Sequence, residues 1–253
     1  MSDEVLNKTG SKEEMEKEAI RAYFDHQRKG VCVEVGSNEP KDACSQSWHL
    51  EDQLGWRCVL VEPNPELAQK ARDERPDAVV YECACVGEGH VGEVTLYIPV
   101  STGDKEHASH ASIEKNMDEH AYAEHREVAV KGRTLSSIFE EEGLGEVELL
   151  SIDVEGAEYE VIKGLVFSKW QPKLILLEDK HLYLNKHRYL KRHGYQLLQR
   201  LNRNCWYVPA GAKGVDVSFG EKMKLFKRMY LSIWFKKLGY AFKHRTLRPF
   251  KTL

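Results

Sequence analysis

The stretch "LLSIDVEGAEYEVIKGL", residues 149–165, decides the fold. It opens as an apolar strand, stops on Asp153, sets Glu155 beside Gly156, and then takes up a helical pattern. Neither acid helps a core, so both call for a reason outside packing. A buried strand feeding directly into a helix is the unit from which parallel sheets are built.

Working outward, "GVCVEVG" (30–36), "WRCVLVEP" (56–63) and "DAVVYECACVG" (77–87) are further short apolar runs. The helix-length segments "CSQSWHLEDQLG" and "NPELAQKARDERP" separate them. "GEVTLYIPV" (92–100) and "REVAVKG" (126–132) read as strands flanking a histidine-rich loop, and "RTLSSIFEEEG" as a helix entered through Thr134. After the opening stretch come strand "KLILLED", helix "LYLNKHRYLKRHG", and the strands "YQLLQRL" and "CWYVPA", whose short link "NRN" suits an antiparallel hairpin. The pattern predicts an α/β fold: a doubly wound, mostly parallel sheet of about seven strands with the last antiparallel. It occupies residues 30–210, between a helical extension at 1–29 and a basic extension at 211–253.

The chain has 253 residues, 42% of them apolar, enough to bury a substantial core. No apolar run reaches the roughly 18–20 residues that span a bilayer, and the first residues are acidic where a secretory leader is basic, so a cytoplasmic location is expected. Six cysteines without CxxC spacing indicate neither a zinc site nor a disulfide framework. The net charge of −3 conceals an asymmetry: from Lys180 onward the balance is +16, and the first 179 residues carry −19. A basic end of this kind suits phosphate or an anionic surface, or self-neutralisation against the acidic body.

Ligands of an open parallel sheet bind beyond the carboxyl ends of its strands. Those ends carry Glu34, Glu62, Glu82, Asp153 and the pair Glu178-Asp179. Gly36 lets the backbone approach a ligand, and Glu62 is placed to accept hydrogen bonds from both hydroxyls of a ribose. One glycine stands where a pyrophosphate-binding loop has three, and an acid-rich site repels a diphosphate. A donor carrying a sulfonium and an ammonium group, S-adenosylmethionine, meets both demands.

The blocks "VEVGSNEP", "SQSWHLEDQLGWRCVLVEPNP", "RTLSSIF" and "LLSIDVEGAEYEVIKGL" resemble the FkbM family of S-adenosylmethionine-dependent methyltransferases. The resemblance implies a Rossmann-like class I methyltransferase fold and transfer to a hydroxyl of a sugar, glycan or related natural product. It further implies that Glu34, Gly36 and Ser37 line the methionine side, that Glu62 binds the ribose with Asn64 nearby, and that Cys83 and Ala84 border the adenine. Asp153 then faces the methionine end or the acceptor. If the acceptor is an alcohol, a base or a metal must take its proton. Asp153, Glu178 and His181 are the candidates, with a divalent cation held by Asp153, Glu178 and Asp179 as a lesser option. His110, Ser112 and Glu155 are expected on the substrate side, Glu155 chiefly shaping the turn.

From 222 the chain runs "KMKLFKRMYLSIWFKKLGYAFKHR", with Met223, Phe226, Met229, Tyr230, Ile233, Trp234 and Tyr240 on one helical face and lysines on the other. Four partners suit residues 222–245: an anionic membrane surface, which would make the protein peripheral on the cytoplasmic membrane face, the chain's own domain, a second subunit, or RNA. The alternatives to glycan O-methylation are thus an RNA methyltransferase and a non-catalytic membrane-associated binding protein.

Overall fold

A computed structural model describes residues 11–101, 105–106, 110–114, 124–179, 183–212 and 218–245. The chain enters through α1 (Lys12–Tyr23), capped by the Ser11 side chain on the N–H of Glu14. β1 (Val31–Val35), α2 (Trp48–Leu54), β2 (Arg57–Val61), α3 (Pro65–Glu74) and β3 (Val79–Tyr81) then alternate as expected. Run 77–87, read as one strand, is two: after Tyr81 the chain leaves the first sheet and enters β4 (Ala84–Cys85) of another. That second sheet continues with β5 (Gly92–Ser101), β6 (Lys105–Glu106) and β7 (Glu124–Arg133), in the order β4-β7-β5-β6. Leu96, Ile98 and Val130 with Ala84 and Val86 form its own small core, which is why these strands do not join the larger sheet.

The chain returns through α4 (Leu135–Glu141), capped by Thr134 on the N–H of Ser137, into β8 (Leu149–Ile152), α5 (Glu158–Lys163), β9 (Leu174–Glu178), α6 (Asn185–Arg192), β10 (Tyr195–Leu201) and β11 (Asn204–Pro209). The main sheet has seven strands in the order β10-β11-β9-β8-β1-β2-β3. β11 alone runs antiparallel to its neighbours on both sides. The expected doubly wound sheet is therefore present.

Side chains alternate across it. Val33 and Val35 join Leu150, Ile152 and Phe139 on one face, while Cys32, Cys58 and Leu149 pack against Ile20, Leu50 and Trp206 on the other. Burial on both faces explains why the central strands read as continuous apolar runs. α1 belongs to this packing: Phe24 meets Trp56 edge to face at 5.1 Å, and the buried Glu16 carboxylate accepts from Trp206 Nε1 at 3.1 Å. α1 is thus a layer packed on the main sheet.

A long arm follows the sheet: α7 (Phe219–Phe226), a π-helical turn at Lys227–Leu231, and α8 (Ser232–His244). Its buried Met229 and Ile233 face the domain, and Tyr230 meets His187 Nε2 at 3.1 Å. Among the described residues no helix is long and apolar enough to cross a membrane.

Candidate active site

Strand order reverses between β1 and β8, and there the carboxyl ends of both strands open a cleft of about 360 Å³. The two ends nearly touch. Gly36 has φ +80°, and a Cβ on it would lie 1.8 Å from the carbonyl oxygen of Asp153. Only glycine allows this crossing, and the N–H of Asp153 completes it by donating to the Val35 carbonyl at 3.0 Å. The conformation at Gly36 thus sets where Asp153 stands.

On the cofactor side Glu62 lines the cleft at the end of β2. Its two carboxylate oxygens accept from the N–H groups of Asn38 (2.8 Å) and Asn64 (2.9 Å). Burial, opposed by those two donors and assisted by the charge of Glu34, raises its pKa to about 7. Glu34 also lines the cleft, but its carboxylate serves the loop above it, accepting from Gln46 N–H (2.6 Å) and from the hydroxyls of Ser45 and Ser47. Asn64, expected near the ribose, turns its side chain to cap α3 through Glu66 N–H at 3.0 Å, and Pro63 takes its place in the wall. Cys83, Ala84 and Cys85 form the opposite wall, where burial pushes the Cys83 thiol up to about 11 and holds the Cys85 thiol well above its usual range. They remain neutral and present an apolar surface suited to a flat base.

Among the described residues, two of the buried polar atoms without a hydrogen-bond partner belong to residues lining this cleft: the hydroxyl of Ser37 and the side-chain carbonyl of Gln46. Unpaired buried polar groups are costly, and a ligand that supplies the missing hydrogen bonds offsets that cost. An amino-acid end bearing an ammonium group satisfies the Gln46 acceptor, and the surrounding carboxylates favour a cation, so the residues fit S-adenosylmethionine.

On the acceptor side the structure gathers Asp153, Glu155 and Glu178, with one carboxylate oxygen from each within 4.8 Å of the others. Asp153 is open to solvent through the cleft, while its protein surroundings desolvate it. That desolvation, then the charges of Glu178 and Glu155, hold its carboxyl well above the usual carboxylate range. Glu155 does more than shape the turn: at φ +52° it takes the left-handed conformation that brings its side chain back toward Asp153. Asp179 is elsewhere, paired with Lys186 Nζ at 3.0 Å, so Glu155 occupies the third position expected of it. His181 lies outside the described residues.

The loop between β6 and β7 contributes His110 and Ser112 to the cleft, with Ala111 and Ile113 between and beside them. Ser112 is bridged to Tyr97 of β5 through paired backbone hydrogen bonds, and its hydroxyl donates to the Val154 carbonyl at 3.3 Å. The second sheet thus roofs the first. Sequence reasoning missed Arg203, because "NRN" looked like a plain hairpin link. β11 carries that link to the mouth of the cleft, where Arg203 Nη1 stands 3.6 Å from Glu178. It also missed Arg75, wholly buried at the end of α3, which binds Glu51 at 2.6 Å and the Pro40 carbonyl at 3.2 Å, holding the loop that carries Gln46.

A doubly wound sheet with one antiparallel strand and an acidic cleft at its switch point defines the class: an α/β enzyme of the methyltransferase type. The chain matches the Methyltransferase FkbM domain over residues 34–197 and belongs to that family. Among curated proteins no sequence matches it significantly. Solved structures similar to it include a precorrin-6y C5,15-methyltransferase from Geobacter metallireducens GS-15 (TM-score 0.40, 11% identity, 76% of this chain and 84% of that one). Others are an RNA methyltransferase from Salinibacter ruber with S-adenosyl-L-homocysteine (0.39, 11%, 83% and 99%) and the N-terminal domain of human METTL16 with the same ligand (0.41, 11%, 79% and 70%). Similarity at that level says nothing of substrate.

Proposed function

We propose that the chain is an S-adenosylmethionine-dependent O-methyltransferase acting on a hydroxyl of a sugar, glycan or related natural product. The observation that carries this reading is the carboxyl cluster of Asp153, Glu155 and Glu178 at the strand crossing, which sets a proton acceptor where the carboxyl ends of β1 and β8 open the cleft. When bound, S-adenosylmethionine supplies an electrophilic methyl group whose bond to sulfur breaks with the electron pair leaving on sulfur. Glu62 would hold the ribose, Ser37 and Gln46 would take the amino-acid end, and Cys83 to Cys85 would flank the base. Asp153 accepts the proton of the acceptor hydroxyl as its oxygen bonds to the methyl carbon. The chain's main contribution is alignment of oxygen, methyl carbon and sulfur.

The same three carboxylates are the only described group able to bind a hard divalent cation. Arg203 beside Glu178 disfavours a dication there, and turnover is expected to survive chelation.

The test is transfer of labelled methyl from S-adenosylmethionine to fractionated lysate. Label entering polysaccharide or lipid-linked sugar supports the proposal, whereas label confined to RNA or protein overturns the acceptor class. Calorimetry showing no binding of S-adenosylmethionine would overturn the enzyme reading altogether.

A further inference from the structure

The carboxyl-terminal arm carries an apolar face that the fold does not use. Met229 and Ile233, at the centre of the face predicted from the sequence, are spent on the domain, with 2% and 4% of their surface exposed. Lys237 lies beside them over the ring of Tyr183 at 5.1 Å. Farther round α8, Trp234, Phe235, Leu238 and Phe242 point outward, 58%, 75%, 58% and 91% exposed. At 100° per residue these four share one contiguous sector, roughly opposite Ile233. Apart from Met15, Val91 and Val166, every exposed large hydrophobic among the described residues lies on this arm.

Basic residues flank that sector. Lys236 and Lys243 fall together at one side of α8, and Lys224 and Lys227 are exposed on the preceding turns. No Asp or Glu follows Glu221 in the chain. Partial burial, then the neighbouring charges of Arg200 and Arg228, lower the pKa of Lys236, with Asp179 acting in the opposite direction.

We propose that the arm is an interfacial membrane anchor: Trp234, Phe235, Leu238 and Phe242 enter an anionic lipid surface while Lys227, Lys236 and Lys243 meet its phosphate headgroups. The chemistry favours lipid over the alternatives. An isologous dimer through this face would bring the flanking lysines of one copy toward those of the other, and these repel. RNA would use the aromatic rings for stacking but has no use for Leu231 and Leu238 in the same exposed surface. An apolar face with lysines at its edge matches a bilayer interface, where rings sit among acyl chains and amines snorkel to the headgroups. The acidic body is repelled from such a surface, so the charge asymmetry of the chain also orients it.

The experiment uses the full chain with phosphatidylcholine vesicles and with mixed phosphatidylcholine–phosphatidylglycerol vesicles, at low and high salt. Binding is read by co-sedimentation, so methyl transfer plays no part in the readout. Co-sedimentation is expected with the mixed vesicles, weakening with salt and falling about fivefold for each cation removed in a Lys227→Gln, Lys236→Gln, Lys243→Gln series. A Trp234→Ser, Phe235→Ser, Phe242→Ser variant should bind at least tenfold more weakly, with an unchanged melting temperature because those side chains are already exposed. No pelleting with mixed vesicles overturns the proposal. Equal binding to both vesicle types, with the glutamine series unaffected, overturns the role of charge. A dimer in light scattering that the serine variant dissolves, or RNA binding that it abolishes while vesicles remain unbound, assigns the face to that partner instead and also overturns the proposal.

Discussion

Glu62 and Asp153 are both acids at strand ends, yet their surroundings set them different tasks. The Glu62 pKa, raised by burial to about 7 from an ordinary 4.5, has consequences of opposite sign. Ribose hydroxyls donate to the ionised carboxylate, so cofactor affinity should rise as pH climbs through about 7, and calorimetry at stepped pH should show that rise vanish in Glu62→Gln. In the free protein the unfolded chain releases this proton first. The stability that the protonated form contributes is complete below 4.5 and is lost as pH rises to about 7, a slope that Glu62→Gln should flatten in melting curves. Asp153→Asn should lower kcat by about 10²- to 10⁴-fold. Cofactor affinity should stay within a few-fold, since the variant keeps the shape of the side chain while losing the base; equal losses in binding and turnover would contradict the assignment. These acids were legible because an acid closing an apolar strand adds nothing to the core that the strand builds. Arg203 and Gln46 were not, because each lies in a polar segment where its residue type is unremarked, and only the chain's path carries it to the cleft.

At the scale of elements, one turn positions the site. Gly36→Ala would put a methyl group 1.8 Å from the Asp153 carbonyl at φ +80° and should cost about 3 kcal/mol or more in urea unfolding, with loss of cofactor binding. α5, β9 and α6 are joined by Lys186, which reaches Glu158 at 2.9 Å and Asp179 at 3.0 Å, both acids almost fully buried. Lys186→Met removes the cation that these two buried acids share and should destabilise the protein by about 3–5 kcal/mol. The Lys186→Met, Glu158→Leu, Asp179→Leu triple variant should recover much of that loss in the same unfolding assay. The capped helices were readable: Thr134 was placed correctly at the entry to α4. The break between β3 and β4 was not. "DAVVYECACVG" is apolar throughout, and strand period and composition do not change where the chain passes from one sheet to the other.

At the scale of the molecule, α1 closes one face of the main sheet, with Ile20 wholly buried and Phe24 packed on Trp56. A chain lacking residues 1–29 would expose Trp56 and Trp206 and strip Glu16 from the Trp206 indole. Its melting temperature should fall by about 10 °C or more if removal costs some 4 kcal/mol. Retention of the full melting temperature would show the helix to be dispensable. The sequence by itself determined the parallel sheet, the strand ends that make the site, and the basic, aromatic character of the final segment, because periodicity, strand-terminal acids and composition are local properties of the chain. Tertiary structure alone decided that β4 to β7 form a separate roof and that Glu155 rather than Asp179 joins Asp153 and Glu178. It also decided that the arm spends one apolar face on the domain and turns another to solvent. Those outcomes depend on which distant surfaces compete for the same apolar and charged groups, and no local pattern records the winner.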